Sequence, residues 1–133
     1  MGVWLADTIH SRRASRTGKI LVLGLSFKPD VPDLRNSKVV DVVRRLEWLG
    51  HEVVVHDPLA APEAARHEYG LSLERDIPGG RYDVILAAVP HRPYRSLGSS
   101  DLATLARDEA LLVDLHGIWR GQDLPVGMDY WVP

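Results

Sequence analysis

A chain of 133 residues has one domain's worth of core and no more. Its 45% hydrophobic and 26% charged residues are those of an ordinary globular protein, and a net charge of -2 argues against a nucleic-acid partner, which wants a basic face. No apolar run is long enough to span a bilayer, and the N-terminal apolar patch precedes its arginines, the reverse of a secretory signal, so no membrane and a cytoplasmic location are expected. Cysteine is absent, which removes disulfides, thiolate metal sites and thiol nucleophiles together.

Residues 3 to 13 place Trp4, Leu5, Thr8 and Ile9 on one side at helical spacing, and Arg12, Arg13 and Arg16 then mark a solvated connector. An isolated helix this short is marginal in water, so fraying or self-association is expected of it. The domain proper is expected from residue 18 on. Its first strand is KILVLG, an apolar run closed by Gly24 and typical of a buried parallel strand. A loop broken by Pro29 and Pro32 follows, with Asn36 and Ser37 as candidate caps of a helix running to about Leu49. Val39, Val40, Val43, Leu46 and Leu49 form its apolar stripe, Arg44 and Arg45 its solvent side, and Gly50 its stop.

EVVVHDP is the second strand, and Asp57-Pro58 turns the chain into a helix near Pro62 to Tyr69. Tyr82 to Val89 is a third strand, Ser99 or Ser100 caps another helix, EALLVDLHG is a fourth strand, and DYWV adds a short last one. Strands alternating with helical segments predict an α/β fold: a Rossmann-like, doubly wound, mostly parallel sheet flanked by helices.

Ligands of such sheets sit outside the carboxyl ends of the strands, which points to GLSFKPDVPDLRNS, HDP, VPHRPY and DLHGIWR. The first leads from a glycine-terminated strand to a helix N-terminus, where exposed N–H groups suit a phosphate. Lys28 and Arg35 add charge, Arg35 with a fork for two oxygens, and Phe27 adds a flat apolar face. The segment lacks the later glycines of G-x-G-x-x-G and has no G-K-S/T, and its spacing alone equally suits a solvated loop. Asp57 fits a turn residue before proline better than a ribose acceptor. With no fixed carboxylate or thiol in view, neither His91 nor His116 has a catalytic pattern. No acidic pair suggests acid/base work and no His/Asp cluster suggests a metal, so catalytic and metal residues are both expected to be none. The four tryptophans read as packing residues.

GLSFKPDVPDLRNSKVVDVV resembles the G-x-x-F-K-x-x-x-x-D-x-R-x-S segment that opens the C-terminal domain of UDP-glucose/GDP-mannose dehydrogenases. HDP, AAVPHRPY and VDLHGIW fall in the same order as in that family, so the resemblance covers about residues 18 to 133. It implies a UDP-sugar-binding domain of an NAD-dependent enzyme that oxidises a C6 alcohol to a carboxylate, passing two hydrides to two NAD molecules. It also implies partners for this domain: a UDP-sugar, an N-terminal NAD-binding domain, and a central helix that makes a homodimer and whose tail residues 1 to 17 would be.

By the same resemblance, Phe27 and Lys28 hold the UDP-sugar and Arg35 reaches toward the NAD side. His116 stands where the family commonly has a basic residue on the substrate. The VPDLRNS wording is similar to the branch acting on UDP-N-acetylhexosamines. The family's thiol nucleophile and dinucleotide loop lie upstream of this domain, so the chain alone is expected to be inactive, and without cysteine it cannot form the family's thioester. A free-standing nucleotide-binding or oligomerisation module without catalysis is the alternative. A signalling receiver is the remaining class; it needs a lysine after its last strand, and none follows Lys38.

Overall fold

A strand that is apolar along its whole length needs cover on both faces. In the computed structural model, which describes residues 2–133, each continuous apolar run lies inside one six-stranded sheet. The strands are β1 (Lys19–Leu23), β2 (Glu52–His56), β3 (Leu73–Glu74), β4 (Tyr82–Ala87), β5 (Ala106–Asp114) and β6 (Asp129–Trp131). Their order is β3-β2-β1-β4-β5-β6 and every pairing is parallel. The connection therefore reverses between β1 and β4, the switch point of a doubly wound sheet. The predicted α/β class is the one observed.

Helices α1 (Gly2–Arg12), α2 (Val39–Trp48) and α3 (Pro62–Tyr69) cover one face, while α4 (Arg92–Arg95) and α5 (Ser99–Leu105) cover the other. The two-residue period of β1 divides its side chains accordingly. Ile20 and Val22 enter the core under α1 and α2, and Leu21 and Leu23 enter the one shared with Tyr94, Leu102 and Trp119. Among the described residues no helix is long and apolar enough to cross a membrane.

Several local expectations are corrected. The helix expected over residues 3 to 13 spans Gly2–Arg12 and is packed on the domain: Leu5, Ala6 and Ile9 are fully buried against α2, and Asp7 pairs with Arg45 at 2.8 Å. Ser37 does not cap α2, because its hydroxyl donates to the Leu25 carbonyl at 2.6 Å; the N-cap is Lys38. The cap of α5 is Gly98, whose N–H donates to Asp101 at 2.9 Å. Of the tryptophans, Trp119 is a core residue, whereas Trp4 and Trp48 are exposed. The Arg45 guanidinium lies 4.2 Å from the Trp48 ring centre.

Candidate functional site

The carboxyl ends of β1 and β4 come together through one glycine. Gly24 has φ +101, and a Cβ there would stand 2.6 Å from the Val89 Cβ. The chain beyond Gly24 is then tied down by the residue that follows β2. Asp57 is fully buried; its Oδ2 accepts from the N–H groups of Leu25 (2.9 Å) and Ser26 (3.0 Å), and its Oδ1 from those of Leu59 (2.9 Å) and Ala60 (3.0 Å). It is a turn residue, as its place before Pro58 predicts, and also the anchor of the neighbouring loop. Both oxygens are used, so no ribose hydroxyl is held here.

The third component corrects the sequence reading, which has no fixed carboxylate beside His91. His91 is fully buried, and its Nε2 lies 2.9 Å from Asp57 Oδ2 and 3.0 Å from Ser26 Oγ. Its Nδ1 accepts the Asp30 N–H at 2.9 Å, which places the ring proton on Nε2, facing both Asp57 and Ser26. A serine–histidine–aspartate relay requires the serine on one ring nitrogen and the carboxylate on the other. Here both share Nε2, and the Ser26 hydroxyl is directed to the Lys28 carbonyl (3.1 Å). This cluster is a brace and not a nucleophile.

Burial opposes ionisation of Asp57, but the hydrogen bonds from His91 and from the Leu25, Leu59 and Ser26 amides outweigh it and hold its pKa well below the usual carboxylate range.

The remaining ties close the loop. Phe27 N–H donates to Asp33 O at 2.7 Å, and Asp30 Oδ1 accepts from Arg92 N–H at 2.8 Å. Tyr69 at the end of α3 donates its hydroxyl to Leu34 O and accepts from Ser37 N–H. What projects from this frame is Phe27, 44% exposed, with Lys28 beside it, its Nζ 5.7 Å from the Phe27 ring centre. Phe27 and His116 line a mostly apolar cavity of about 420 Å³ together with Trp4, Leu5, Val42 and Leu115. His116 Nε2 lies 3.2 Å from the Ala88 carbonyl.

The structure thus brings Phe27 and His116 to one cavity, with Lys28 next to Phe27. Arg35 is elsewhere, lining a separate depression against α3, where its fork grips Asp33 at 3.0 and 3.1 Å. That hydrogen-bonded pairing lowers the Asp33 pKa to about 2. Among the described residues no group of three His, Cys, Asp or Glu converges as a metal would need.

Two further buried histidines make the fold sensitive to acid. His51 accepts the Gly18 N–H on Nδ1 and faces His10 at 2.9 Å, with Arg13 and Asp83 nearby. His56 bonds the Tyr94 hydroxyl (2.7 Å) and the Arg75 carbonyl (3.0 Å). Burial pushes both below their usual 6.5, with His10 and Arg13 adding to the effect at His51. Below pH 6.5 the unfolded chain therefore binds more protons than the folded one, and stability falls with pH. The buried Tyr94 is pushed up, first by burial and then by Asp57, so its contribution is present below pH 10 and lost above it. Melting temperature should hold steady between these limits and drop from pH 6.5 toward 5, less steeply in His51→Gln and His56→Gln. A flat or rising profile over that acid range would contradict the assignment.

The sheet order and the braced loop at its switch point define a Rossmann-like domain. Residues 21–121 match the model of the UDP-glucose/GDP-mannose dehydrogenase family, UDP binding domain. The chain belongs to that family, as its UDP-binding domain. It is 41% identical over 112 residues to a UDP-N-acetyl-D-glucosamine 6-dehydrogenase of Pseudomonas aeruginosa, a match covering 84% of this chain and 26% of that protein. It is 35% identical over 96 residues to the Salmonella typhi enzyme of the same name, covering 72% of this chain and 23% of that one. The chain therefore spans about a quarter of the length of these curated relatives. The UDP-N-acetyl-mannosamine dehydrogenase Cap5O of Staphylococcus aureus superposes on 98% of this chain and 30% of its own, with a TM-score of 0.77 at 20% identity, a likeness of fold.

Proposed function

We propose that this chain supplies the nucleotide-sugar side of an NAD-dependent UDP-sugar 6-dehydrogenase, binding UDP at the Phe27–Lys28 loop beside the cavity that His116 lines. The observation that carries this reading is the braced loop, which offers an aromatic face and an ammonium group at the switch point without a collapse to fill the cavity. Phe27 suits the flat base or ribose, Lys28 a phosphate oxygen, and His116 a polar group of the sugar. The names of the two curated relatives favour a UDP-N-acetylhexosamine as the substrate.

NAD does not fit the carboxyl end of β1 in this chain. The amides of Leu25 and Ser26, which would otherwise be free to face a pyrophosphate, are spent on Asp57, and Val89 packs against Gly24. Arg35, 82% exposed and outside the cavity, is the group on this chain that could meet a cofactor held by another domain. In this reading residues 1 to 17 are the end of the central helix of a homodimer, and α1 lends Trp4 and Leu5 to the cavity wall.

Titration of the chain with UDP, followed by NMR or calorimetry, is the test. Lys28→Ala removes a charge-assisted hydrogen bond worth about 1.5–3 kcal/mol, which weakens affinity by about ten- to a hundredfold. Resonance shifts confined to regions far from residues 24 to 37, or wild-type affinity in Lys28→Ala, would sink the placement.

A further inference from the structure

We infer that His91, which does not line the cavity, is a positioning residue for the nucleotide loop and acts through its Nδ1 lone pair. The inference rests on the proposed UDP site for its functional half and on geometry alone for its structural half. Residues 27 to 30 are exposed and have no core side chain to hold them. Apart from the Phe27 N–H, which donates to Asp33 O, their backbone is tied at both ends to one imidazole. At the near end the Nε2–H supports Ser26 Oγ, which in turn donates to the Lys28 carbonyl. At the far end Nδ1 accepts the Asp30 N–H at 2.9 Å, and Asp30 returns a bond through Oδ1 to Arg92 N–H, next to His91. Asp30 sits at φ +61, in the left-handed region that aspartate adopts more readily than most side-chain-bearing residues, and its ties to His91 and Arg92 hold it there. Phe27 and Lys28 lie between these two grips.

The two ring nitrogens divide the work, and two amide side chains can separate it. In His91→Gln the amide reaches the place of Nε2 and still donates to Asp57 and Ser26, but the Asp30 N–H loses its acceptor. In His91→Asn the carbonyl oxygen stands near Nδ1 and keeps Asp30, while Asp57 loses its side-chain donor. A merely structural histidine would make Asn and Gln differ only in stability; a positioning histidine makes them differ in binding in the opposite sense.

The test uses the whole chain, UDP as the probe, and backbone 15N order parameters of residues 27 to 31 without ligand. In His91→Gln these order parameters should fall. If the loop is then competent about a tenth of the time, UDP affinity weakens about tenfold, while the melting temperature stays nearer the wild type than that of His91→Asn. His91→Asn should melt lower yet keep the loop ordered and its UDP affinity unchanged. An undisturbed loop in His91→Gln overturns the inference, as does equal loss of affinity in both variants. Lys28→Ala is run alongside. If it binds UDP as the wild type does, the nucleotide placement fails, and the order parameters still decide whether His91 holds the loop.

Discussion

Asp57→Ala is expected to destabilise the fold by about 4 kcal/mol, because removing one partner from a buried charged network typically costs about 3–5 kcal/mol. The substitution leaves the N–H groups of Leu25, Ser26, Leu59 and Ala60 without their acceptor and the His91 Nε2–H with Ser26 Oγ alone. The donors of Leu25, Ser26 and Ala60 cannot reach water without opening the top of the sheet, since these residues and Asp57 and His91 are all buried, whereas Leu59 is exposed. Total stability of a domain is about 5–15 kcal/mol, so the loss is a large share of it. Asp57→Asn should be milder: one oxygen can still serve Leu59 and Ala60, but an amide NH₂ then faces the donors of Leu25 and Ser26. Asp33→Ala, which removes an exposed ion pair screened by solvent, is the contrast, with a far smaller expected loss. Urea unfolding midpoints at unchanged slope give the three values. An Asp57→Ala loss no larger than that of Asp33→Ala would show that the network carries no weight.

Gly24→Ala is the second large effect, and two separate costs compose it. The backbone at φ +101 lies where side-chain-bearing residues are strained by about 1–3 kcal/mol. The new methyl also meets Val89 at 2.6 Å (Cβ) and 2.9 Å (backbone N), an overpacking that costs about 1–3 kcal/mol. The sum is about 2–6 kcal/mol, and the components can be told apart. Adding Val89→Ala removes the Val89 Cγ2 contact at 3.0 Å but neither the Cβ and backbone contacts nor the strain, so rescue should be partial. Full rescue would assign the whole cost to the valine side chain, and no cost at all would mean the strands' ends part more easily than the structure indicates.

The frame of the fold was legible because buried parallel strands are written as unbroken apolar runs. Lys19–Leu23, Glu52–His56 and Tyr82–Ala87 fall within the runs predicted as strands. β3 has two residues and α4 has four, too few to show a period, and both escaped the pattern. β5 starts at Ala106, ahead of the expected Glu109, pairing with Tyr82 before an irregularity in which Glu109 adopts φ +63 and the β4–β5 register shifts. Phe27, Lys28, Arg35 and His116 were found through the family motif and the residues aligned with it. The brace was not. Asp57 and His91 are 34 residues apart, Ser26 and His91 65 apart, and each one alone looks like an ordinary loop residue beside a proline or a turn. Only the sheet order, which sets β1 between β2 and β4, makes them neighbours.

A chain emerges from its N-terminus during synthesis, and here the strand of this domain that is made first becomes a central one. In a nascent chain whose residues up to 74 have emerged and folded, β1, β2 and β3 would stand together with α1, α2 and α3 on the same face. Ile20 and Val22 are already roofed. Leu21 and Leu23 on the opposite face are bare, and the edge of β1 that will receive β4 presents unpaired N–H and C=O groups, a template for any stray strand. Both gaps are filled by the second half of the chain: Tyr82–Ala87 closes the edge, and Tyr94, Leu102 and Trp119 then close the face.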